Sequence, residues 1–252
     1  MNRPVRCVVA ALDNSDTASQ VVHTAQHVAT TLGLPVRALH IREDGDRTAH
    51  AVARAAGMDL ETKDGNAADI LATRAEEGDL VVLGSRNRLQ PGEPFGHVAR
   101  DVMTNSNAPI MLVPPDPLPS STVTTLLVPL DGSADSESTL ELVCEWFSHT
   151  LCPVVTLFVF EDRNLPPFGD HIQYETEAWI AEFAARHCTS KPDVHVELRV
   201  GNPIDRVITV AHEHHANYIV IGWKQSLEPG HALILRGLLE RSRTPILLLP
   251  LR

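Results

Sequence analysis

The amino-acid sequence predicts an α/β protein that contains two tandem copies of one domain, each a five-stranded parallel sheet with helices on both faces. Two observations lead to this prediction. Short apolar runs alternate with amphipathic stretches throughout the 252 residues, and one series of motifs occurs twice. Strands of a parallel sheet are covered on both faces, so they appear as continuous apolar runs such as Tyr218–Ile221.

The strands predicted from these apolar runs are 5–12, 35–41, 58–62, 79–83, 109–113, 125–130, 153–160, 193–200, 217–221 and 245–249. Apolar residues at i, i+3, i+4 and i+7 spacing predict a first helix in each copy, over 18–32 and 140–151. Right-handed crossovers between such strands produce a doubly wound, Rossmann-like sheet. Ligands bind such sheets at the carboxyl ends of the strands, where the strand order reverses.

The duplication is visible in four motifs that recur in the same order. The motifs and their second copies are Val8–Ser15 with Leu126–Ser133, Leu39–Asp44 with Leu157–Asp162, Gly65–Ala67 with Gly201–Pro203, and Pro109–Pro114 with Pro245–Pro250. The offset is 118 residues for the first two motifs and 136 for the last two. The second copy therefore contains 18 additional residues, at about 163–180, which could extend a surface helix or cover the second site.

A proline-rich segment separates the two copies. Pro114–Thr122 contains four prolines and no apolar periodicity. Proline fixes φ and lacks a backbone donor, so this segment is typical of a stiff linker. We predict a first domain over 1–115, a linker over 116–123 and a second domain over 124–252.

The composition excludes some classes of partner. The net charge is −11, from 21 basic and 32 acidic residues, which argues against a basic surface that binds nucleic acid. The four cysteines show no CxxC spacing, as expected of buried thiols in a reducing compartment. No early apolar run has the length of a signal peptide or membrane span. We therefore expect a cytoplasmic protein with neither a nucleic-acid nor a membrane partner.

Several motifs together resemble the universal stress protein family in its tandem two-domain form. A first strand ends in Asp131-Gly132-Ser133 and, nearly alike, in Asp13-Asn14-Ser15. A late strand runs through Asp79–Arg86, and the stretch Gly96–Arg100 leads into a strand that starts at Pro109. The resemblance covers nearly the whole chain. It implies the adenine nucleotide alpha hydrolase-like form of the Rossmann-like fold, and a role in the stress response.

Nucleotide-binding members of this family carry Gly-x2-Gly-x9-Gly-Ser/Thr after strand four. Glycines let the backbone approach phosphates, and the N–H groups at the start of the following helix hold the anion. In the first copy Gly84 and Gly96 match two of the glycines, although Gly96 comes one residue early. Asn87 stands in place of the second glycine, and His97 in place of Ser/Thr.

The resemblance thus makes ATP, accompanied by Mg²⁺, the candidate cofactor of the first domain. It implies these cofactor-binding residues: Ala11, Asp13, Ile41, Gly84, Asn87, Gly96, His97 and Val98. Asp13 and Ile41 would lie at the base and ribose, and the last five at the phosphates and helix start. The alternative is a vestigial loop that binds no nucleotide.

The second copy departs further from the motif. After Gly222, Gln225 replaces the second glycine, Ala232 the third, and Leu233 the Ser/Thr. A leucine offers no hydrogen bond to a phosphate and would remove water from its charge. We therefore expect no nucleotide in this copy, where Asp131 would organise the turn after its strand.

The other polar clusters give no catalytic or metal site. His212 and His215 are i, i+3 on a predicted helix, but the sequence shows no third ligand near them, which favours a solvated helix end. No activated nucleophile or general base can be identified, so we expect no enzymatic activity beyond weak ATP hydrolysis.

The sequence is compatible with two functions. One is a nucleotide-dependent switch, and the other is a non-nucleotide, pseudo-dimeric scaffold that acts through an unidentified protein partner. Single-domain members of the family dimerise through the last strand. The resemblance therefore implies that 109–113 and 245–249 pair within one chain as an intramolecular pseudo-dimer, and higher homo-oligomers stay open.

Overall fold

A computed structural model describes residues 5–42, 48–85, 95–118, 124–160, 182–183, 186, 194–227 and 232–251. Contacts divide the chain into two compact units. The first consists of the described residues of Met1–Ser120 and Trp223–Pro250, and the second of those of Ser121–Gly222 with Leu251. The end of the second sequence copy, Trp223–Pro250, therefore makes most of its contacts with the first unit. The predicted domain boundaries describe the sequence repeat, and they stay a prediction.

Most of the described strands are followed by a helix, as the sequence predicts. In chain order the described elements are β1 (Cys7–Leu12), α1 (Ala18–Leu32), β2 (Val36–Ile41), α2 (Thr48–Ala55), β3 (Leu60–Lys63), α3 (Ala67–Glu76), β4 (Asp79–Gly84), α4 (His97–Asn105), β5 (Ile110–Val113), β6 (Leu126–Leu130), α5 (Ala134–Trp146), β7 (Val154–Phe160), β8 (Val194–Val200), α6 (Pro203–Glu213), β9 (Tyr218–Trp223), α7 (Leu233–Arg241) and β10 (Ile246–Pro250). Each predicted strand is present within two residues of its expected ends. The predicted α/β fold is confirmed.

The sheet of the first unit has the strand order β3-β2-β1-β4-β5-β10. The pairs from β3 to β5 are parallel, and the order reverses between β1 and β4. β10 pairs antiparallel with β5, with Leu247 opposite Met111. The expected pairing of 109–113 with 245–249 is therefore confirmed.

The second unit contains parallel strands in the order β9-β6-β7-β8. The edge strand β8 pairs with β7 along its whole length, from Val194 to Val200. The additional segment predicted at about 163–180 lies outside the described residues. Just beyond it, the buried Phe183 packs edge-to-face on Phe158 of β7, with ring centroids 5.2 Å apart.

Aliphatic side chains build the cores because the chain contains few aromatic residues. The predicted stripe of α1 is buried against the sheet of the first unit, from Ala18 through Val22 and Ala25 to Ala29. Gly33 ends this helix in the left-handed conformation, at φ 65°, where glycine has no Cβ penalty. Among the described residues, no helix combines the length and apolarity needed to cross a membrane.

The first helix of the second copy is shorter at its end than the sequence predicts. Leu140, Val143 and Cys144 form the buried stripe of α5, as expected. The helix ends at Trp146, however, so Leu151 lies beyond it and is exposed. The prediction of a helix up to residue 151 is therefore wrong, because the apolar Leu151 only happens to continue the helical spacing.

Only part of the predicted linker 116–123 belongs to the described residues, namely 116–118. There the Leu118 amide donates to the Arg243 carbonyl, at an N···O distance of 3.0 Å. Arg243 also forms an exposed ion pair with Asp116, at 2.7 Å between Nη2 and Oδ2. Both contacts lie within the first unit. They hold the start of the linker beside the segment that leads into β10.

Candidate functional site

A cleft opens at the carboxyl ends of β1 and β4 in the first unit, where the strand order reverses. Its volume is about 630 Å³, including space open to solvent. The residues that line it come from five elements or their ends: Ala11, Leu12, Asp13, Ile41, Ala67, Leu71, Leu83, Gly84, Gly96, His97, Val98 and Ala99. This is the position at which doubly wound sheets bind ligands.

The structure brings together the site residues predicted from the sequence. The described ones, from Ala11 and Asp13 through Ile41 and Gly84 to Gly96–Val98, all line this cleft. Asn87 lies outside the described residues. Sequence reasoning missed Ala67 and Leu71 of α3, because these small and apolar residues look like any buried helix stripe.

Asp13 organises the turn that follows β1. Its Oδ1 accepts hydrogen bonds from the backbone N–H of Ser15 at 3.0 Å and from the Ser15 hydroxyl at 2.5 Å. The Ser15 hydroxyl in turn accepts from the Thr17 amide at the start of α1. Asp13 is therefore fixed by its own turn while it lines the cleft.

Asp131 forms the same turn after β6 in the second unit. Its Oδ1 accepts from the N–H of Ser133 at 2.9 Å and from the Ser133 hydroxyl at 2.6 Å. Burial raises the pKa of Asp131, but the hydrogen bonds from Ser133 and Ser136 outweigh burial and hold the pKa below its ordinary value. The shared geometry of the two turns indicates that the Asp-x-Ser pattern is a structural element in both copies.

The helix α4 begins at the wall of the cleft. Its N-cap is Gly96, which has no side chain to cover the first N–H groups of the helix. The Gly96 amide donates to the Ser85 carbonyl at 2.9 Å, which ties the helix start to the end of β4. Such a helix terminus carries a partial positive charge and free N–H donors, and both favour an anion.

Ser85 adds an unusual polar group next to this helix start. Its side chain is buried, and in the described part of the chain its Oγ has no hydrogen-bond partner. A buried hydroxyl without a partner costs about 1–3 kcal/mol, so this group is an unfavourable feature of the ligand-free protein. The uncapped start of α4 is therefore the part of this cleft wall that suits a phosphate group.

Gly84 and Gly222, which lie at corresponding positions near the ends of β4 and β9, have different surroundings. A Cβ on Gly84 would lie 3.9 Å from Thr17, which is ordinary contact. A Cβ on Gly222 would lie 2.2 Å from Thr139 Oγ1 and 2.6 Å from Leu251 Cδ1. In the second unit, side chains therefore fill the space beside the glycine that the first unit leaves to the cleft.

The second copy also differs at the start of its last helix. Ala232, the N-cap of α7, has φ 56°, a left-handed conformation that is strained for a residue with a Cβ. Leu233, the first residue of α7, is 63% exposed. Neither side chain can bind a phosphate through a hydrogen bond.

Comparison with known proteins gives a family and a fold. A family model described as the universal stress protein family matches residues 122–248. Among solved structures, the chain is similar to a universal stress protein from Archaeoglobus fulgidus DSM 4304, at 18% identity and a TM-score of 0.66, over 96% of this chain and 97% of that chain.

It is also similar to a protein of unknown function from Pseudomonas aeruginosa PAO1, at 14% identity and a TM-score of 0.66, over 98% of this chain and 92% of that chain. At this identity the two structures show the fold over both copies. No curated protein matches the sequence. Because the family model spans half of the chain and both copies have the fold, the chain belongs to the universal stress protein family.

Proposed function

We propose that this chain is a cytoplasmic stress-response protein that binds ATP in the cleft of its first unit and acts as a nucleotide-dependent regulatory switch. One observation carries the proposal. The described residues expected at an adenine nucleotide, from Asp13 and Ile41 to Gly84 and Gly96–Val98, line one cleft at the strand reversal.

Each part of the cleft suits one part of the nucleotide. Ile41, Ala67 and Leu71 offer apolar surface to the adenine ring, and the carboxylate of Asp13 can accept from a ribose hydroxyl. The N–H groups at the start of α4 can donate to the phosphates. The net charge of −11 disfavours polyanions but leaves this local set of backbone donors intact. Mg²⁺ would accompany the phosphates of ATP.

Titration calorimetry with MgATP tests the proposal. We expect one nucleotide per chain, and we expect His97→Glu to weaken binding by at least about tenfold because it places a negative charge at the phosphates. The matched control is Leu233→Glu, which places the same charge at the first residue of α7. Equal binding by the wild type and His97→Glu would contradict the proposal.

A second candidate function is the pseudo-dimeric scaffold, which binds a protein partner and no nucleotide. The packing of Leu251 and Thr139 beside Gly222 favours it, because the second copy places side chains where the first copy leaves space beside Gly84. Mass spectrometry of the denatured, freshly purified protein distinguishes the two. Co-purified adenine nucleotide supports the switch. Its absence, together with no thermal shift at millimolar ATP, supports the scaffold.

A further inference from the structure

A cluster of two imidazoles and one carboxylate lies in the second unit. His195 and Glu197 are two residues apart on the edge strand β8, so their side chains lie on one face of the sheet. His214 is the C-cap of α6, at the end of the helix. One side-chain atom from each of these residues lies within 4.8 Å of the other two.

The contacts in the cluster bring three candidate ligand atoms close together. His195 Nε2 lies 3.5 Å from Glu197 Oε1, and His214 Nε2 contacts the same oxygen. Two ligands of a tetrahedral zinc ion lie about 3.3 Å apart, given metal–ligand distances of about 2.0–2.2 Å. The separation between His195 and Glu197 is therefore already close to the value that a bound ion requires. The contact between His214 and Glu197 is a direct hydrogen bond and must lengthen to admit the ion.

Arg199 orients the carboxylate from the other side. Its Nη2 lies 2.9 Å from Glu197 Oε2 and 2.9 Å from Glu213 Oε2. The Glu197 side chain is only 10% exposed, and its Oε2 has no well-directed hydrogen bond among the described residues, so the contact with Arg199 is ionic. Because Arg199 contacts Oε2, Oε1 faces the two imidazoles. Carboxylates that bind a metal are often oriented in this way by a neighbouring residue that does not itself contact the metal.

The first copy provides an internal comparison. At the offset of 136 residues, Glu61 corresponds to Glu197, but Asp59 and Gly78 stand where the second copy has His195 and His214. Glu61 instead forms ion pairs with Arg74 and, at 3.4 Å, with Lys63. The carboxylate is thus common to both copies, whereas the two imidazole ligands belong to the second copy alone.

The local charge also favours a cation. Glu197 and Glu213 carry two negative charges, and Arg199 offsets one of them. Imidazole with carboxylate is a ligand set that suits Zn²⁺ and neighbouring divalent transition metals. Three protein ligands leave at least one coordination position open, and the 64% exposure of the His195 side chain gives solvent access to it.

We propose that His195 Nε2, Glu197 Oε1 and His214 Nε2 bind one divalent transition-metal ion of the zinc class. The cluster belongs to the second unit and the nucleotide cleft to the first, so this proposal is independent of nucleotide binding. Each imidazole contributes the lone pair of its Nε2 and keeps its proton on Nδ1. Arg199 is a positioning residue.

Zinc titration against a chromophoric chelator, on full-length protein first treated with EDTA, tests the proposal. We expect one equivalent of Zn²⁺ to bind the wild type. The variant His195→Ala/His214→Ala should bind at least about 100-fold more weakly, and Glu197→Gln at least about tenfold more weakly. Co²⁺ should give the visible absorption of a low-symmetry site in the wild type and lose it in the double variant.

The chain has 13 histidines, and two controls separate the proposed site from the other 11. His212→Ala/His215→Ala removes two imidazoles whose ring centroids are 6.4 Å apart, and it should leave zinc affinity unchanged. Glu61→Gln removes the corresponding carboxylate of the first copy and should also have no effect. A wild type that binds zinc no more tightly than His195→Ala/His214→Ala overturns the proposal, as does an equal loss in His212→Ala/His215→Ala.

Discussion

The indole Nε1 of Trp223 donates a hydrogen bond to the carbonyl oxygen of Met103, at 2.7 Å. Met103 lies in the last turn of α4, where carbonyl groups have no partner within the helix. Both residues are buried in the first unit. Trp223 follows Gly222 directly, as Ser85 follows Gly84, so a structural indole in one copy corresponds to a buried hydroxyl in the other.

Trp223→Phe should therefore destabilise the protein. The substitution keeps most of the apolar bulk but leaves the Met103 carbonyl buried without its donor, which costs about 1–3 kcal/mol. We expect a lower urea midpoint with an unchanged m-value. An unchanged midpoint would show that water replaces the indole at this carbonyl.

Ser85→Ala should have the opposite effect on the stability of the ligand-free protein. The hydroxyl is buried, and within the described ranges its Oγ finds no partner, so its removal should leave the free energy of unfolding unchanged or raise it by up to about 1 kcal/mol. In the presence of saturating MgATP the same variant should keep the thermal shift of the wild type, because Ser85 is buried and does not line the cleft. Thermal melts with and without nucleotide measure both effects.

Alanine substitution at the two corresponding glycines should affect the stability of the protein to different extents. Gly84→Ala adds a methyl group at ordinary contact distance from Thr17, so stability should change by less than about 0.5 kcal/mol. Gly222→Ala forces Thr139 and Leu251 to move and should cost about 1–3 kcal/mol. Denaturant unfolding of both variants checks the difference, and equal losses would contradict it.

Asp131 should contribute to stability in a pH-dependent way. The folded protein holds the pKa of Asp131 below its unfolded value, because hydrogen bonds from Ser133 and Ser136 outweigh the effect of burial. Its contribution is therefore present above the unfolded pKa, about 3.9, and is lost as the pH falls through the lower folded pKa.

The variant Asp131→Asn keeps an acceptor oxygen for Ser133 but cannot titrate. We expect its melting temperature to fall less than that of the wild type between about pH 5 and about pH 2.5, the range that brackets the carboxyl titration. Parallel curves for the two proteins over this range would contradict the assignment. Asp131→Asn should also leave MgATP binding intact, whereas Asp13→Asn, the matched change in the cleft, should weaken it.

A chain that ends after residue 243 should fail to complete the first unit. Ile246–Leu249 of β10 are at most 1% exposed, and each such side chain contributes about 1.5–3 kcal/mol by its burial. The total is comparable to the stability of a whole domain. We expect loss of cooperative unfolding and association through the uncovered β5, measured by circular dichroism and size-exclusion chromatography.

The sequence predicts the strands and the cleft because both depend on local signals. Continuous apolar runs such as Tyr218–Ile221 are typical of covered strands, and Asp13, Gly84 and Gly96 mark the ends of elements whose order then defines the cleft. The position of His97 follows in the same way, because it begins the helix after the glycine.

The remaining features depend on contacts between residues far apart in the sequence. Nothing near Gly222 indicates that Leu251 packs beside it, and nothing near Trp223 indicates the carbonyl of Met103, 120 residues away. In the histidine run at 212–215 the sequence spacing points to His212 and His215 as candidate metal ligands, whereas the cluster in the structure contains His214. His214 follows the last residue of α6, and this position places its imidazole against Glu197 on β8. The contact depends on how α6 packs in the fold and has no signal in the local sequence.

The pairing of β10 with β5 has a consequence for biosynthesis. The half of the protein that leaves the ribosome first contains β5 with its outer edge still unpaired, and Ile110–Leu112 receive their partners from residues 246–248. The first unit therefore completes its folding after translation has passed residue 248. Until then the nascent chain exposes an apolar strand edge, and so this interval is when a chaperone would be most needed.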